Sequence, residues 1–190
     1  NKSTWLFNEA TKEWEFKVEP AGGMGVSSGG GACYDSLRNR VYFALPGTSP
    51  IKRLNPTTWT WDNLTASITN SGNAACFYAP EIDRVIWVGH TTGRFAVINP
   101  ATGAVSFPTT DAIPFTMSAP MGLDWIPGLG LMLHRYDINT GDVHILIPPA
   151  NPDTGNWSLT QLATVGTPPA ESNVSGVGWW SRVKYSKRFK

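Results

Sequence analysis

The residues of this chain that could do chemistry are three histidines, two cysteines and a few aspartates in turn-like stretches. Imidazoles make a metal centre when two or more converge at ligand spacing on neighbouring positions of the fold. His90, His134 and His144 offer no such pair on one element, so neither a metal site nor another cofactor is expected. Paired carboxylates would serve glycoside hydrolysis, one as acid and the other as base or nucleophile. Asp35, Asp83 and Asp124 instead lie in turn-like stretches beside aromatic residues, where aspartate ordinarily caps backbone amides. The sequence contains no phosphate-binding glycine loop. No catalytic residue is assigned. For ligand binding the candidates are Trp179 and Trp180, adjacent indoles in a Gly- and Ser-rich stretch, because aromatic faces stack on the apolar side of sugar rings.

The elements that must position these residues are strands. The chain has 190 residues and 41% hydrophobic content, enough to bury the core of one domain. Lys+Arg 15 against Asp+Glu 14 leaves a formal charge of +1, too little field to gather nucleic acid. Gly 19, Pro 15 and Trp 9 with only 15% charged residues describe tight turns between short aromatic strands, an all-β composition. Apolar stretches such as Ile145–Pro149 fall far short of the ~20 residues of a membrane-spanning helix, so no membrane insertion is expected. Asn1 opens the sequence without a basic-then-apolar leader, so a secretion signal is expected to have been removed or to lie outside it.

A seven-residue frame recurs. Asn8-Glu9-Ala10-Thr11-Lys12-Glu13-Trp14 places Asn, Thr and Trp at its first, fourth and seventh positions, and Asn55 to Trp61, Asn99 to Val105 and Asn151 to Trp157 repeat it at intervals of 47, 44 and 52 residues. Each copy follows an apolar run and precedes another, which reads as a hairpin. Asn caps the backbone two residues on, Pro presets φ, and the fifth position, Gly in two copies, tolerates positive φ. Thr11, Thr58, Thr102 and Thr154 are expected to bond their hydroxyls to local backbone. A second series alternates with the first: Cys33-Tyr34-Asp35-Ser36 before Arg40-Val41-Tyr42-Phe43 aligns with Phe77-Tyr78-Ala79-Pro80 before Arg84-Val85-Ile86-Trp87. Asp124-Trp125-Ile126-Pro127 and Lys184-Tyr185-Ser186-Lys187 continue it. Two hairpins per unit make four strands in the 40–50 residues of a propeller blade. The repeated aromatics Tyr34, Tyr78, Trp125, Trp14, Trp61 and Trp157 are expected in the core between sheets.

The glycine-rich lead-in Gly29-Gly30-Gly31, the aromatic-turn segments, the Arg-Val-Tyr-Phe strand and the Asn-Pro-x-Thr-x-x-Trp hairpin resemble the kelch-type blades of the galactose-oxidase central-domain superfamily. The stretch Leu146 to Trp157, followed by Arg182-Val183-Lys184-Tyr185-Ser186, is similar to C-terminal blades of large, uncharacterised extracellular bacterial kelch-like proteins. The chain departs from the pattern where a kelch blade carries Gly-Gly, reading Leu45-Pro46-Gly47 and Val88-Gly89-His90 instead. The resemblance implies a β-propeller of four-stranded antiparallel blades and says little of function, since propellers host unrelated activities. Cys33 beside Tyr34 is similar to half of the Tyr–Cys copper site of galactose oxidase, but the three histidines do not complete that site. The Ser-x-Asp-x-Gly-x-Thr-Trp box of sialidase propellers is absent.

The expected organisation is a single kelch-like region over 1–190, with whole blades at about 32–64, 73–107 and 121–162. Residues 4–18 would form the outer hairpin of a preceding blade and 174–190 the first strand of a following one, an excerpt of a larger propeller. Cys33 and Cys76 fall one and two residues before their anchor tyrosines, so alternation is expected to turn the two thiols away from each other and leave both free. The sequons at Asn1, Asn63, Asn156 and Asn173 are compatible with an extracellular or surface-exposed location, which is expected. The expected function is a non-catalytic binding or scaffold module of a secreted, cell-surface or virion protein, presenting loops to a glycan or protein partner. The alternative is part of a carbohydrate-active or galactose-oxidase-like enzyme whose catalytic residues lie elsewhere.

Overall fold

A computed structural model describes residues 3–19, 31–44, 50–67, 74–89, 95–114, 121–135 and 143–163. Every regular element among them is a strand, as the composition requires. β1 (Thr4–Asn8) and β2 (Glu13–Val18) pair as a two-stranded ribbon. Three four-stranded antiparallel sheets follow, each wound in chain order. The first holds β3 (Gly31–Asp35), β4 (Arg40–Ala44), β5 (Pro50–Asn55) and β6 (Thr60–Ser67). The second holds β7 (Ala74–Ala79), β8 (Arg84–Gly89), β9 (Phe95–Ile98) and β10 (Val105–Ser106). The third holds β11 (Met121–Ile126), β12 (Gly130–Arg135), β13 (Val143–Ile147) and β14 (Ser158–Leu162).

The Asn frames close the hairpins β1–β2, β5–β6, β9–β10 and β13–β14, the outer pair of each sheet and the ribbon itself. In all four, the Asn Oδ1 accepts the backbone N–H two residues on: Ala10 at 3.0 Å, Thr57 at 3.0 Å, Ala101 at 3.0 Å and Asp153 at 3.1 Å. Each Asn carbonyl also accepts the N–H four residues on, from Lys12, Trp59, Gly103 and Gly155, at 2.8, 2.8, 2.8 and 2.9 Å. The fifth position takes positive φ in three frames, at Lys12 (62°), Trp59 (56°) and Gly103 (76°), while Gly155 does not. Two frames therefore hold a non-glycine residue in a left-handed conformation that costs of order 1–2 kcal/mol. The threonines depart from expectation. Only Thr102 bonds its hydroxyl to backbone, accepting from Ala104 N–H at 3.2 Å, and Thr58 pairs with the Thr60 hydroxyl at 2.7 Å. The hydroxyls of Thr11 and Thr154 make no hydrogen bond among the described residues. The cap is the asparagine, whose amide oxygen stands where a turn's first carbonyl would and takes the forward amides itself.

Strand alternation gives the middle sheet two apolar faces. Cys76, Val85, Trp87, Ala96 and Ile98 pack on Tyr42, Ile51 and Leu64 of the first sheet. Ala75, Ile86, Val88, Phe95 and Val97 pack on Leu123, Trp125, Leu131, Leu133, Leu146 and Trp157 of the third. Covered on both sides, β8 and β9 read as unbroken apolar runs rather than alternating ones. Trp87 and Trp157 are fully buried, and at roughly 25 cal/mol per Å² over the ~150–250 Å² of an indole each contributes at most about 4–6 kcal/mol. The first strands of successive sheets lie closest together. A Cβ on Gly31 would sit 2.8 Å from Ala74 O, Ala75 C and Cys76 N, so β3 can approach β7 only as glycine. Beyond β10 the chain crosses to the third sheet, where Thr109 and Asp111 bracket Trp157 with backbone bonds of 2.9 Å each. The Asp111 carboxylate then accepts Asn156 Nδ2 at 2.7 Å and Leu159 N–H at 2.9 Å. Sheets stacked in chain order with their first strands converging are compatible with successive propeller blades, and the described residues do not by themselves close a ring.

Burial corrects two of the expected core aromatics. Trp157 and Trp125 are buried, Tyr78 and Trp61 partly so, but Tyr34 is 53% and Trp14 65% exposed. Tyr34 points from the face of the first sheet opposite its Cys33–Tyr42 contact with the second, and Trp14 stands on the ribbon; among the described residues no full sheet covers either place.

Candidate functional site: charged turns and an aromatic face

The carboxylates of the aromatic-turn series serve the contacts between sheets. Asp35 is fully buried and caps Leu37 N–H at 2.9 Å and Arg38 N–H at 3.1 Å, as its turn position predicts. Arg38 swings across to the second sheet and forks onto Asp83 at 2.7 and 2.6 Å, while also reaching Asp35 at 3.1 Å. The Tyr78 hydroxyl donates to the same Asp83 at 3.1 Å. The Arg38 guanidinium beside it, helped by that phenol, holds the Asp83 carboxyl below its usual range. Burial, with the bond to Asp83, pushes the Tyr78 phenol up to about 12, so it stays a donor. Asp83 is therefore an ion-pair partner rather than the expected amide cap. Arg84 repeats the device one interface later, forking onto Asp153 in the frame of the third sheet at 2.8 and 2.7 Å. Glu81 accepts Trp125 Nε1 at 2.9 Å across the same interface. Asp124 lies within β11 rather than in a turn, its carboxylate accepting the next residue's N–H at 3.1 Å.

The other reactive residues separate in the same way. His134 and His144 sit on adjacent strands, but His144 pairs with Leu133 and His134 with Val143, which puts them on opposite faces of the third sheet. Burial pushes His134 down. No cluster of three His, Cys, Asp or Glu that could hold a metal ion occurs among the described residues. His90 lies outside them, as do Trp179, Trp180 and the stretch 174–190. Of the sequon asparagines, Asn63 and Asn156 are exposed, the first accepting Lys52 Nζ at 3.0 Å and the second donating to Asp111; Asn1 and Asn173 fall outside the described residues. The two cysteines are free, and their sulfurs lie 2.9 Å apart. The expectation of free thiols agrees with this; the expectation that they point apart does not. Cys33 does occupy the opposite face of its strand from the face Cys76 occupies on the equivalent strand. Stacked sheets, however, meet through opposite faces, so a one-residue offset between neighbouring units brings side chains together.

Among the described residues, four exposed rings gather on one face of the ribbon. Trp5 lies opposite Phe16 and Phe7 opposite Trp14, so all four rings stand on one side. They meet as an edge-to-face pair 5.6 Å apart and a tilted pair 5.1 Å apart. All four are exposed, at 50, 53, 40 and 65% respectively. The other side of the ribbon, where Leu6 stands opposite Glu15, is otherwise mostly polar and faces the first sheet. There Asn8 Nδ2 and Lys17 Nζ both donate to Glu15, Lys17 lies 5.2 Å above the Trp59 ring, and Thr4 Oγ1 accepts Trp61 Nε1 at 3.0 Å. Sequence reasoning placed Trp14 in the core and overlooked Trp5, Phe7 and Phe16 as a surface. The signal was present in the period-two pattern of Trp5-x-Phe7 and Trp14-x-Phe16, which marks one apolar face of a two-stranded ribbon.

No protein-family model matches the chain, and no curated protein matches it. Its character therefore rests on the geometry above.

Proposed function

We propose that the chain is a section of a kelch-like β-propeller acting as a non-catalytic binding or scaffold module, with the aromatic face of the ribbon as its contact surface. The reading rests on one comparison within the molecule. The opposed pair Phe7–Trp14 occupies the place held by Leu54–Trp61 in the first sheet and Ile98–Val105 in the second. There the same face is largely buried: Leu54 is 5% exposed and Ile98 0%, with Trp61 and Val105 partly buried, and Ile98 packs against the first sheet. The ribbon carries larger rings at these positions and nothing above them among the described residues, a patch of the kind that marks interaction sites. The partner it fits is a protein surface of the same type, the apolar face of an antiparallel sheet. Charged turn residues support the same reading, since Arg38, Asp83, Arg84 and Asp153 are engaged in holding sheets together.

The test is a binding screen of the intact protein against candidate protein partners and a glycan array, repeated with Trp14→Ser. Protein binding lost in the variant, with the melting temperature unchanged, supports the proposal. Silence in the protein screen, binding indifferent to Trp14, or glycan binding that needs Trp14 overturns the sheet as the partner.

A further inference from the structure

Cys33 and Cys76 are far apart in sequence and on different sheets, yet their sulfurs approach to 2.9 Å, closer than non-bonded sulfur atoms ordinarily sit. The approach is built in by the backbone. Two residues before Cys33, Gly31 lets β3 press against Ala74, Ala75 and Cys76 of β7, so the cysteine-bearing strands are in direct contact. Cross-strand neighbours hold both side chains from behind, Tyr42 opposite Cys33 and Trp87 opposite Cys76, and both of these residues are fully buried. Cys33 is the half-buried member and Cys76 the buried one.

We propose that Cys33 and Cys76 form a redox latch, a reversible disulfide that staples the first strands of two successive sheets. The oxidant is a disulfide, either a small-molecule one such as oxidised glutathione or that of a protein. The Cys33 thiolate attacks one sulfur of the reagent, giving a mixed disulfide and releasing one reagent thiolate. Cys76, having lost its proton to solvent, then attacks the Cys33 sulfur and expels the second reagent thiolate. Two protein thiols are thus oxidised by two electrons and one reagent disulfide is reduced to two thiols. Entry through Cys33 follows from its greater exposure. The surroundings also oppose casual oxidation: the neighbouring Cys76 and burial push the Cys33 thiol well up, so little thiolate is present at neutral pH and the latch closes faster as pH rises.

The experiment equilibrates the intact native chain in reduced and oxidised glutathione buffers, quenches with acid, alkylates, and maps the cysteines by mass spectrometry. The expected product has lost two hydrogens and yields a Cys33–Cys76 cross-linked peptide. Its midpoint should need at least about tenfold more reducing glutathione than the same chain unfolded in urea, because the native fold holds the thiols together. Its melting temperature should exceed that of the reduced form by roughly 5–15 °C. Full alkylation of both cysteines at every ratio overturns the proposal. So does a stable glutathione adduct on Cys33 with Cys76 still alkylatable, or a midpoint equal to that of the unfolded chain. All three readings come from the unsubstituted protein, so they do not depend on whether a cysteine variant folds.

Discussion

Asparagine rather than threonine should control the stability of the repeated frame, and substitutions in two of its copies separate the alternatives. Asn99 Oδ1 accepts two backbone amides, Ala101 at 3.0 Å and Thr102 at 3.3 Å, while its own backbone bonds to Gly103 and Ala104 survive substitution. Asn99→Ala releases both amides to water at an exposed turn. At a net 0.5–1.5 kcal/mol per hydrogen bond, with the second bond long and counted low, the loss is about 1–1.5 kcal/mol, similar to removal of a helix cap. Thr102→Ala removes one acceptor, 3.2 Å from Ala104 N–H and equally exposed, so about 0.5 kcal/mol is expected. Thr154→Ala removes no hydrogen bond among the described residues and should lie within about 0.5 kcal/mol of the parent. Urea unfolding followed by tryptophan fluorescence measures all three, with an unchanged m-value as the check that the denatured state is the same. The reasoning fails if Thr154→Ala costs as much as Asn99→Ala, or if Thr102→Ala is the most damaging of the three.

Two further outcomes follow from the interfaces. Gly31→Ala would place a methyl 2.8 Å from three backbone atoms of β7 that cannot rotate away, so a loss of roughly 2–3 kcal/mol is expected in urea unfolding; a loss below about 1 kcal/mol would show that β3 and β7 can part easily. Asp83 is held below its unfolded value by Arg38 and Tyr78, so the unfolded chain binds its proton first as pH falls. The stabilisation is complete above the unfolded carboxylate range near pH 4 and is lost as pH drops through the lowered folded value. Stability against pH, measured from pH 7 to pH 2, should therefore fall less in Asp83→Asn than in the parent, and parallel curves would remove Asp83 from the acid response.

The strands and their order were legible because each depends on local chemistry. Asn8, Asn55, Asn99 and Asn151 announce their hairpins through a side-chain bond reaching only two residues, and such bonds form wherever the sequence places them. Residues whose roles depend on a neighbouring sheet were less legible. Asp83 lies, like the capping Asp35, at the turn beside its anchor tyrosine, but it stands where the first sheet has Asn39, and Arg38 from another sheet decides its chemistry. Tyr34 and Tyr78 occupy equivalent places with equivalent partners, Asn39 Oδ1 and Asp83 Oδ1 at 3.1 Å each, yet Tyr34 is 53% exposed and Tyr78 packs against the interface with the first sheet. Repeat position fixes which way a side chain points, while burial requires something on the other side.

The same distinction explains why the thiol pair was misjudged and why it carries information. Within one strand, a one-residue offset sends two side chains to opposite faces, and from a single sheet that excludes contact. Across a stack, the face directed onward from one sheet meets the face directed back from the next. Two equivalent strands then bring together residues of opposite parity, and residues of like parity never meet. Tyr42 on β4 and Trp87 on β8 obey this rule, as do Ile51 on β5 and Ile98 on β9, each pair sharing the core between the first and second sheets. Cys33 and Cys76 obey it on the first strands of their sheets, where the backbones are closest. In a repeat of this kind, cysteines offset by one position in adjacent units are thus the pair to examine for cross-linking, and cysteines at identical positions are not.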